Sequence, residues 1–323
     1  MRGRALLLVV AVMAVAAVAI LVYGVFITRQ GTESVPVRIA YMKVDAALPM
    51  FVAYERGFLQ KRGLQPEMTL LAASTQLVEA LVAGRADAAA GLAVQTGLSA
   101  WVSAPGSFRI LGMTQFTEKQ STGCVLAKKD SPINSFQDLA GKKVGGIPST
   151  FHPLVLEIVA EQHGMPAKSI QYVGMAPDLH LQALQAGTVD ALYAFRGTCA
   201  QGEKMGIGKA ILRGQTIRVL NPMPSVLTAV STSFEKAQPR GAKAVEDALN
   251  DALEDMKKNP EEGKRILAQY TGEETDMVDL VLWTGYLRWQ DVNPKHVQAF
   301  ADLLYQRGLL TKPVEAAALL RKP

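Results

Sequence analysis

The chain has 323 residues, 49% hydrophobic and 20% charged, a composition that suits a globular protein long enough for two domains and excludes disorder, collagen and coiled coil. Its formal charge is +5, but Arg2, Arg4 and Arg29 lie in the first 30 residues with no acid beside them, so the body carries only +2 and has no Lys/Arg run. That balance gives no footprint for DNA or RNA.

Arg2 and Arg4 precede Ala5–Ile27, an uncharged apolar stretch of about the twenty residues that cross a bilayer as a helix. Small residues such as Ala14, Ala16, Ala17 and Ala19 suit a signal-peptidase site, yet the apolar run continues past them through Leu21, Val22, Val25 and Phe26. A retained anchor is therefore expected over a cleaved signal peptide. The positive-inside rule then puts everything after Arg29 outside the cytoplasm. No Cys lies nearby, which excludes a bacterial lipid anchor.

After a polar linker, Val37, Ile39 and Tyr41 alternate as a strand does, and Lys43 to Leu48 reads as a loop. Pro49 suits the start of a helix carrying Met50, Tyr54 and Phe58, with Gly57 and Gly63 at its end. Glu67 to Leu71 is the second expected strand. Ser74-Thr75-Gln76 is placed to cap a helix bearing Leu77, Val78, Leu81 and Val82, with Gly84 as its stop and Ala86 to Ala90 as a third strand. Strand, helix, strand, helix, strand predicts a parallel sheet covered by helices.

The pattern returns with a strand at Val144 to Ile147, a loop to His152, a helix opened by Pro153, and a strand at Gln171 to Val173. Glu79–Leu92 set against Gln182–Phe195 matches at six of fourteen positions, among them Gly84 with Gly187 and Asp87 with Asp190. This supports two like-built lobes. From Val226 to Val230 a further strand is expected, then helices over Glu246–Lys258, Glu261–Tyr270, Met277–Trp289 and Pro294–Arg307. Gly123–Lys128 and Val226–Thr232 are the expected hinge crossings. The division is a signal anchor or signal peptide over 1–30, lobe one over 36–123 and 227–323, and lobe two over 124–226.

In open parallel sheets ligands sit beyond the carboxyl ends of the strands, beside helix N-termini. The candidate ligand-binding residues are therefore Lys43, Asp45, Ser74, Thr75, Gln76, Gly91 and Leu92 in lobe one, and Ser149, Thr150, Phe151, His152, Met175, Phe195 and Arg196 in lobe two. Ser74, Thr75, Ser149 and Thr150 serve equally as helix caps. Arg196 follows an apolar strand and suits a carboxylate or sulfonate, an interlobe salt bridge being the competing role. Trp101, Phe151, Tyr193 and Phe195 would accept a flat ring. Asp87 and Asp190, just before each third strand, read as turn and cap residues instead of a catalytic pair.

No phosphate loop, nucleophile elbow, HExxH helix or Cys/His pair is present, so neither catalysis nor a cofactor or metal is expected. Cys124 and Cys199 read as two buried thiols, with a single bridge between them as the alternative.

Leu48-Pro49-Met50-Phe51-Val52-Ala53-Tyr54-Glu55-Arg56-Gly57-Phe58, Glu79-Ala80-Leu81, Asp138-Leu139-Ala140-Gly141-Lys142-Lys143-Val144-Gly145 and Ala183-Leu184-Gln185-Ala186-Gly187 together resemble the solute-binding proteins of ABC importers. The similar branch binds nitrate, taurine, alkanesulfonates or thiamine-pyrimidine precursors. The resemblance covers about residues 36 to 270. It implies an α/β fold of the two-lobe periplasmic binding protein type II, with hinge strands, closing on a small-molecule ligand, here with an N-terminal transmembrane helix added. It further implies a periplasmic or extracytoplasmic monomer, membrane-bound through residues 5–27, that delivers its solute to an ABC permease. The related pyrimidine-precursor synthases rely on a Cys-rich, His-bearing site that Cys124 and Cys199 do not reproduce. An anchored sensor or assembly factor on the same fold is the alternative function.

Overall fold

The structure is a computed structural model that describes residues 34–118, 123–272 and 285–320. The apolar stretch Ala5–Ile27 lies outside the described residues; among those described, no helix is long and apolar enough to cross a membrane.

In chain order, β1 (Val35–Tyr41) buries Val37 and Ile39 completely and leads to α1 (Leu48–Glu55), whose first turn holds Pro49. Gly57, at φ +69°, turns the chain into the short α2 (Phe58–Lys61). Then come β2 (Leu64–Leu70), α3 (Ser74–Val82), β3 (Ala88–Ala93), α4 (Val94–Ser103) and β4 (Phe108–Phe116). The next stretch holds β5 (Gly123–Lys128), β6 (Lys143–Gly146), α5 (Phe151–Gln162), β7 (Gln171–Gly174), α6 (His180–Ala186), β8 (Ala191–Phe195), α7 (Arg196–Lys204) and β9 (Gly208–Arg213). The chain returns through β10 (Met223–Ser231), α8 (Thr232–Ala237), α9 (Pro239–Lys258), α10 (Pro260–Thr271), β11 (Gly285–Arg288) and α11 (Pro294–Gln306).

These strands form two sheets, ordered β11-β4-β10-β3-β1-β2 and β7-β6-β8-β5-β9. Each holds a parallel trio, β2-β1-β3 in the first and β7-β6-β8 in the second, extended by antiparallel strands. The parallel trios match the expected strand–helix alternation, and the echo between them is physical. Asp87 accepts from Arg38 N at 2.8 Å and returns a bond from its own N to Arg38 O at 2.8 Å. Asp190 does the same with Lys143, at 2.8 Å each way. Each carboxylate thus locks the residue before a third strand to the neighbouring first strand.

Several expectations are corrected. Gly123–Lys128 and Val226–Thr232 are not crossings: the former is β5 of the second sheet, and the latter continues β10 of the first into α8. The chain leaves the first sheet after Phe116 and returns to it between Arg213 and Met223. Of the segment Met277–Trp289, residues 277–284 lie outside the described residues, while Gly285–Arg288 is a strand instead of a helix. It is a strand because it completes an edge beside β4, where Tyr286 pairs with Thr114 and donates its hydroxyl to the Asp45 carbonyl at 2.7 Å. Helix α5 starts at Phe151, two residues before Pro153, because Ser149 Oγ accepts from both Phe151 N (3.0 Å) and His152 N (3.3 Å). Proline is tolerated anywhere in that first turn. Cys124 and Cys199 are not free thiols but a disulfide, with Cα atoms 6.1 Å apart, joining β5 to α7.

One hydrophobic core runs through both sheets, from Leu92, Phe108 and Met113 to Val125, Val144, Val155 and Phe300. Phe151 of α5 meets Phe300 of α11 edge-on at 5.2 Å, so the C-terminal helix is seated against the second sheet's covering helix as well as the first. A second core fills the other face of the first sheet beneath α1, α9 and α10.

Candidate functional site

The loops that leave the carboxyl ends of the two parallel trios carry the candidate residues. On the first sheet Ser74 ties the ends of three strands together: its Oγ accepts from the N–H of Ala93, the last residue of β3, at 3.1 Å and donates to Met42 Sδ just after β1 at 3.6 Å. Ser74 is therefore the first residue of α3 and not its side-chain cap, the N-cap position being Ala73. Gln76 accepts from Ala72 N at 2.9 Å, and both it and Thr75 are exposed. Gly91 holds φ +92°, and a Cβ there would meet Val44 Cγ2 at 3.0 Å and Met42 Cβ at 3.2 Å, so glycine is what lets β3 pass this close to the loop after β1. Leu92 is wholly buried in the core, Lys43 is exposed, and Asp45 is half-buried with Oδ1 accepting from Ala46 N at 2.8 Å.

The second sheet offers a different surface. Ser149, one residue before the N-cap Thr150, accepts from the first two backbone N–H groups of α5, and Thr150 is exposed. Met175 is half-buried, its N donating to Gly146 O at 2.8 Å and its carbonyl lying 3.3 Å from His180 Nε2. His152 is buried and stacks on Tyr193 with ring centres 4.5 Å apart and planes 18° apart. Phe195 is exposed at the end of β8, and Arg196, the first residue of α7, is half-buried.

Electrostatics link the two sides. Burial pushes the Asp45 carboxyl up, against the pull of the Ala46 N–H and the Arg196 guanidinium. Burial likewise lowers Arg196, against the opposing pull of Asp45. Residues expected on separate lobes thus sit within electrostatic reach of each other. His152 is pushed down to about 4 by burial and then by His180, so at neutral pH it is an uncharged ring.

Four residues were missed by sequence reasoning. Tyr172 donates to Ile147 O at 2.6 Å and lies 3.4 Å from His152 Nδ1. Thr216 Oγ1 is 2.6 Å from the Tyr193 hydroxyl, and the fully buried Gln215 donates to Ala194 O at 3.4 Å. Gly123 makes room for that amide, because a Cβ would meet Gln215 Nε2 at 2.6 Å. The one available signal was the Gly214-Gln215-Thr216 turn after an apolar run. Of the ring candidates, Trp101 packs into the core against Phe108 at 5.4 Å and Phe151 against Phe300. A cavity of about 20 Å³ beneath β4, lined by Pro49, Thr114 and Tyr286, and a groove of about 470 Å³ between α3 and α4 hold none of Ser74, His152 or Arg196.

The sequence model of the family described as NMT1/THI5 like matches residues 46–263, a span that takes in the parallel trio of the second sheet, β2 and β3 of the first, and the candidate residues from Ser74 to Arg196, and begins just after Lys43 and Asp45. The chain belongs to the NMT1/THI5-like family. Its fold is that of the periplasmic binding proteins: it matches the periplasmic aliphatic sulphonate binding protein SsuA from Escherichia coli with a TM-score of 0.73 and 22% identity, over 89% of this chain and 92% of that one. The periplasmic nitrate-binding protein NrtA from Synechocystis PCC 6803 gives a TM-score of 0.67 and 18% identity over 89% and 85%. The bicarbonate transport ATP-binding protein CmpC from Synechocystis is 24% identical over 245 residues, 70% of this chain and 36% of that protein. The chain spans less than half the length of the curated relatives it matches.

Proposed function

We propose that the chain is the extracytoplasmic substrate-binding component of an ABC importer, capturing a small organic solute with an acidic group between two lobes and presenting it to a membrane permease. Lobe one comprises 36–123 and 227–323, lobe two 124–226, with the boundary of the return at β10. The observation that carries this reading is the electrostatic coupling of Asp45, after β1 of the first sheet, to Arg196, which opens α7 after β8 of the second, so that charged groups beyond the carboxyl ends of two parallel strands feel each other. A solute that touches both sides has greater affinity for the closed form and so drives closure. The family and the likeness to sulfonate- and nitrate-binding folds support it. A pyrimidine phosphate synthase is among the distant relatives, at 22% identity over half of this chain, but both cysteines of the chain are joined in the buried disulfide, which leaves no free thiol for a Cys-rich site of that type. Residues 5–27 act as the membrane anchor in this reading, and the body is monomeric.

The test is a thermal-shift screen of the full chain against sulfonates, nitrate, carboxylates, amino acids and pyrimidines, since a ligand selective for the folded state raises its stability. One class is expected to raise Tm, and Arg196→Ala to weaken its acidic member by about 2–5 kcal/mol. No shift from any class withdraws the receptor reading. The anchored apolar N-terminus then favours a sensor or assembly factor on the same fold.

A further inference from the structure

One wall of the proposed site is built from rings. Phe195 ends β8, the central strand of the second sheet, and leaves 38% of its surface exposed. Behind it lie buried rings: His152 meets it nearly perpendicular at 5.6 Å and Tyr193 at 6.4 Å, and those two stack on each other at 4.5 Å. The cluster is pinned from within. The Tyr193 hydroxyl is 2.6 Å from Thr216 Oγ1, and the Tyr172 hydroxyl donates to Ile147 O at 2.6 Å while lying 3.4 Å from His152 Nδ1. The buried hydroxyls are therefore satisfied inside the protein, and what faces outward is a single ring held by edge contacts. Arg196 follows it directly and supplies the positive charge.

Resting on the receptor reading above, we propose that the solute is an aromatic acid, an aryl or heteroaryl carboxylate or sulfonate whose ring packs on Phe195 and whose acid group faces Arg196. Ring faces carry the negative part of the quadrupole. A bare inorganic anion or the head of a short aliphatic one gains nothing from the exposed apolar ring of Phe195, whereas a second ring packs against it in offset or edge-on geometry and covers its apolar area. This wall selects aromatic acids over aliphatic and inorganic ones.

The experiment measures binding to the full chain by calorimetry for two head-matched pairs, benzenesulfonate with ethanesulfonate and benzoate with propanoate, and for nitrate. At least one aromatic member is expected to bind about ten-fold or more tighter than its aliphatic partner. Phe195→Leu is expected to shrink that ratio to about three-fold or less, and Phe195→Tyr to retain it. Both variants alter a surface ring, and their ligand-free Tm values report whether the fold is intact. An aliphatic acid or nitrate binding as tightly as the aromatic acids overturns the ring proposal and leaves the receptor reading standing. So does binding confined to an amino acid or uncharged pyrimidine of the wider screen. If nothing in that screen binds, both readings fall together.

Discussion

His152 shows how one side chain can be positioned by sequence and given its character by packing. Its place at the start of a helix after a strand marks it for the site, but only its burial against Tyr193 and Phe195 makes it a neutral ring. Its pKa falls to about 4 in the folded state against an ordinary 6.5, so between those values the unfolded chain holds a proton that the folded one does not. Stability therefore rises with pH across that window: it is full above 6.5 and is lost as pH falls toward 4, by about 3 kcal/mol from this residue. Urea denaturation at pH 7 and pH 4 is expected to show that loss, and His152→Phe, which keeps the stack without the titration, to flatten it. An unchanged slope in His152→Phe would assign the acid sensitivity elsewhere. Arg196 makes the complementary point, since a charge at a strand end reads the same in sequence whether it meets a ligand or a partner, and its proximity to Asp45 appears only in the fold.

Among elements, the two parallel trios repeat a single joint. Asp87 binds the backbone N–H of Arg38 and also grips its guanidinium, at 3.1 Å to Nε and 2.7 Å to Nη2; Asp190 binds the N–H of Lys143 without a side-chain partner. Asp87 is buried and Asp190 is not. Removing a charged acceptor from a buried donor costs more than removing one from a solvated donor. Asp87→Ala is expected to cost about 2–3 kcal/mol in chemical denaturation and Asp190→Ala about 1 kcal/mol. Equal losses would mean that the side-chain clasp of Arg38 adds nothing. The repeat was legible because alternating strands and helix-terminating glycines are local signals. The antiparallel β4 and β9 were not, because Phe108–Phe116 and Gly208–Arg213 are stabilised by partners distant in the chain and carry no clear period of their own.

On the scale of the molecule, two devices make one body of the two sheets. The core is continuous across them, and α11 reaches the second sheet's α5 both through Phe300 on Phe151 and through the bidentate pair of Arg307 with Glu161, at 3.1 and 2.8 Å. A single unfolding transition is the expected consequence. The disulfide adds to this by closing a loop of 75 residues within the second sheet and holding α7, which begins with Arg196, to β5. Cys124→Ser with Cys199→Ser is expected to lower stability by about 4 kcal/mol through the freed loop entropy, read as a lower denaturation midpoint in non-reducing buffer. A midpoint unchanged in that double variant would show that the loop is already restrained without the bond.

Local chemistry was sufficient for much of this protein: hydrophobic period, caps and glycine stops are properties of neighbouring residues, so the parallel α/β trios, their repetition and the loops that carry the candidate residues could be read from the order of amino acids. The extra antiparallel strands, the strand in place of a helix at Gly285–Arg288, the bridge between Cys124 and Cys199, the Tyr193–Thr216 contact and the electrostatic coupling of Asp45 to Arg196 were decided only in three dimensions. Each joins groups far apart along the chain. Their energy depends on distance and burial, quantities that exist only once the chain has folded.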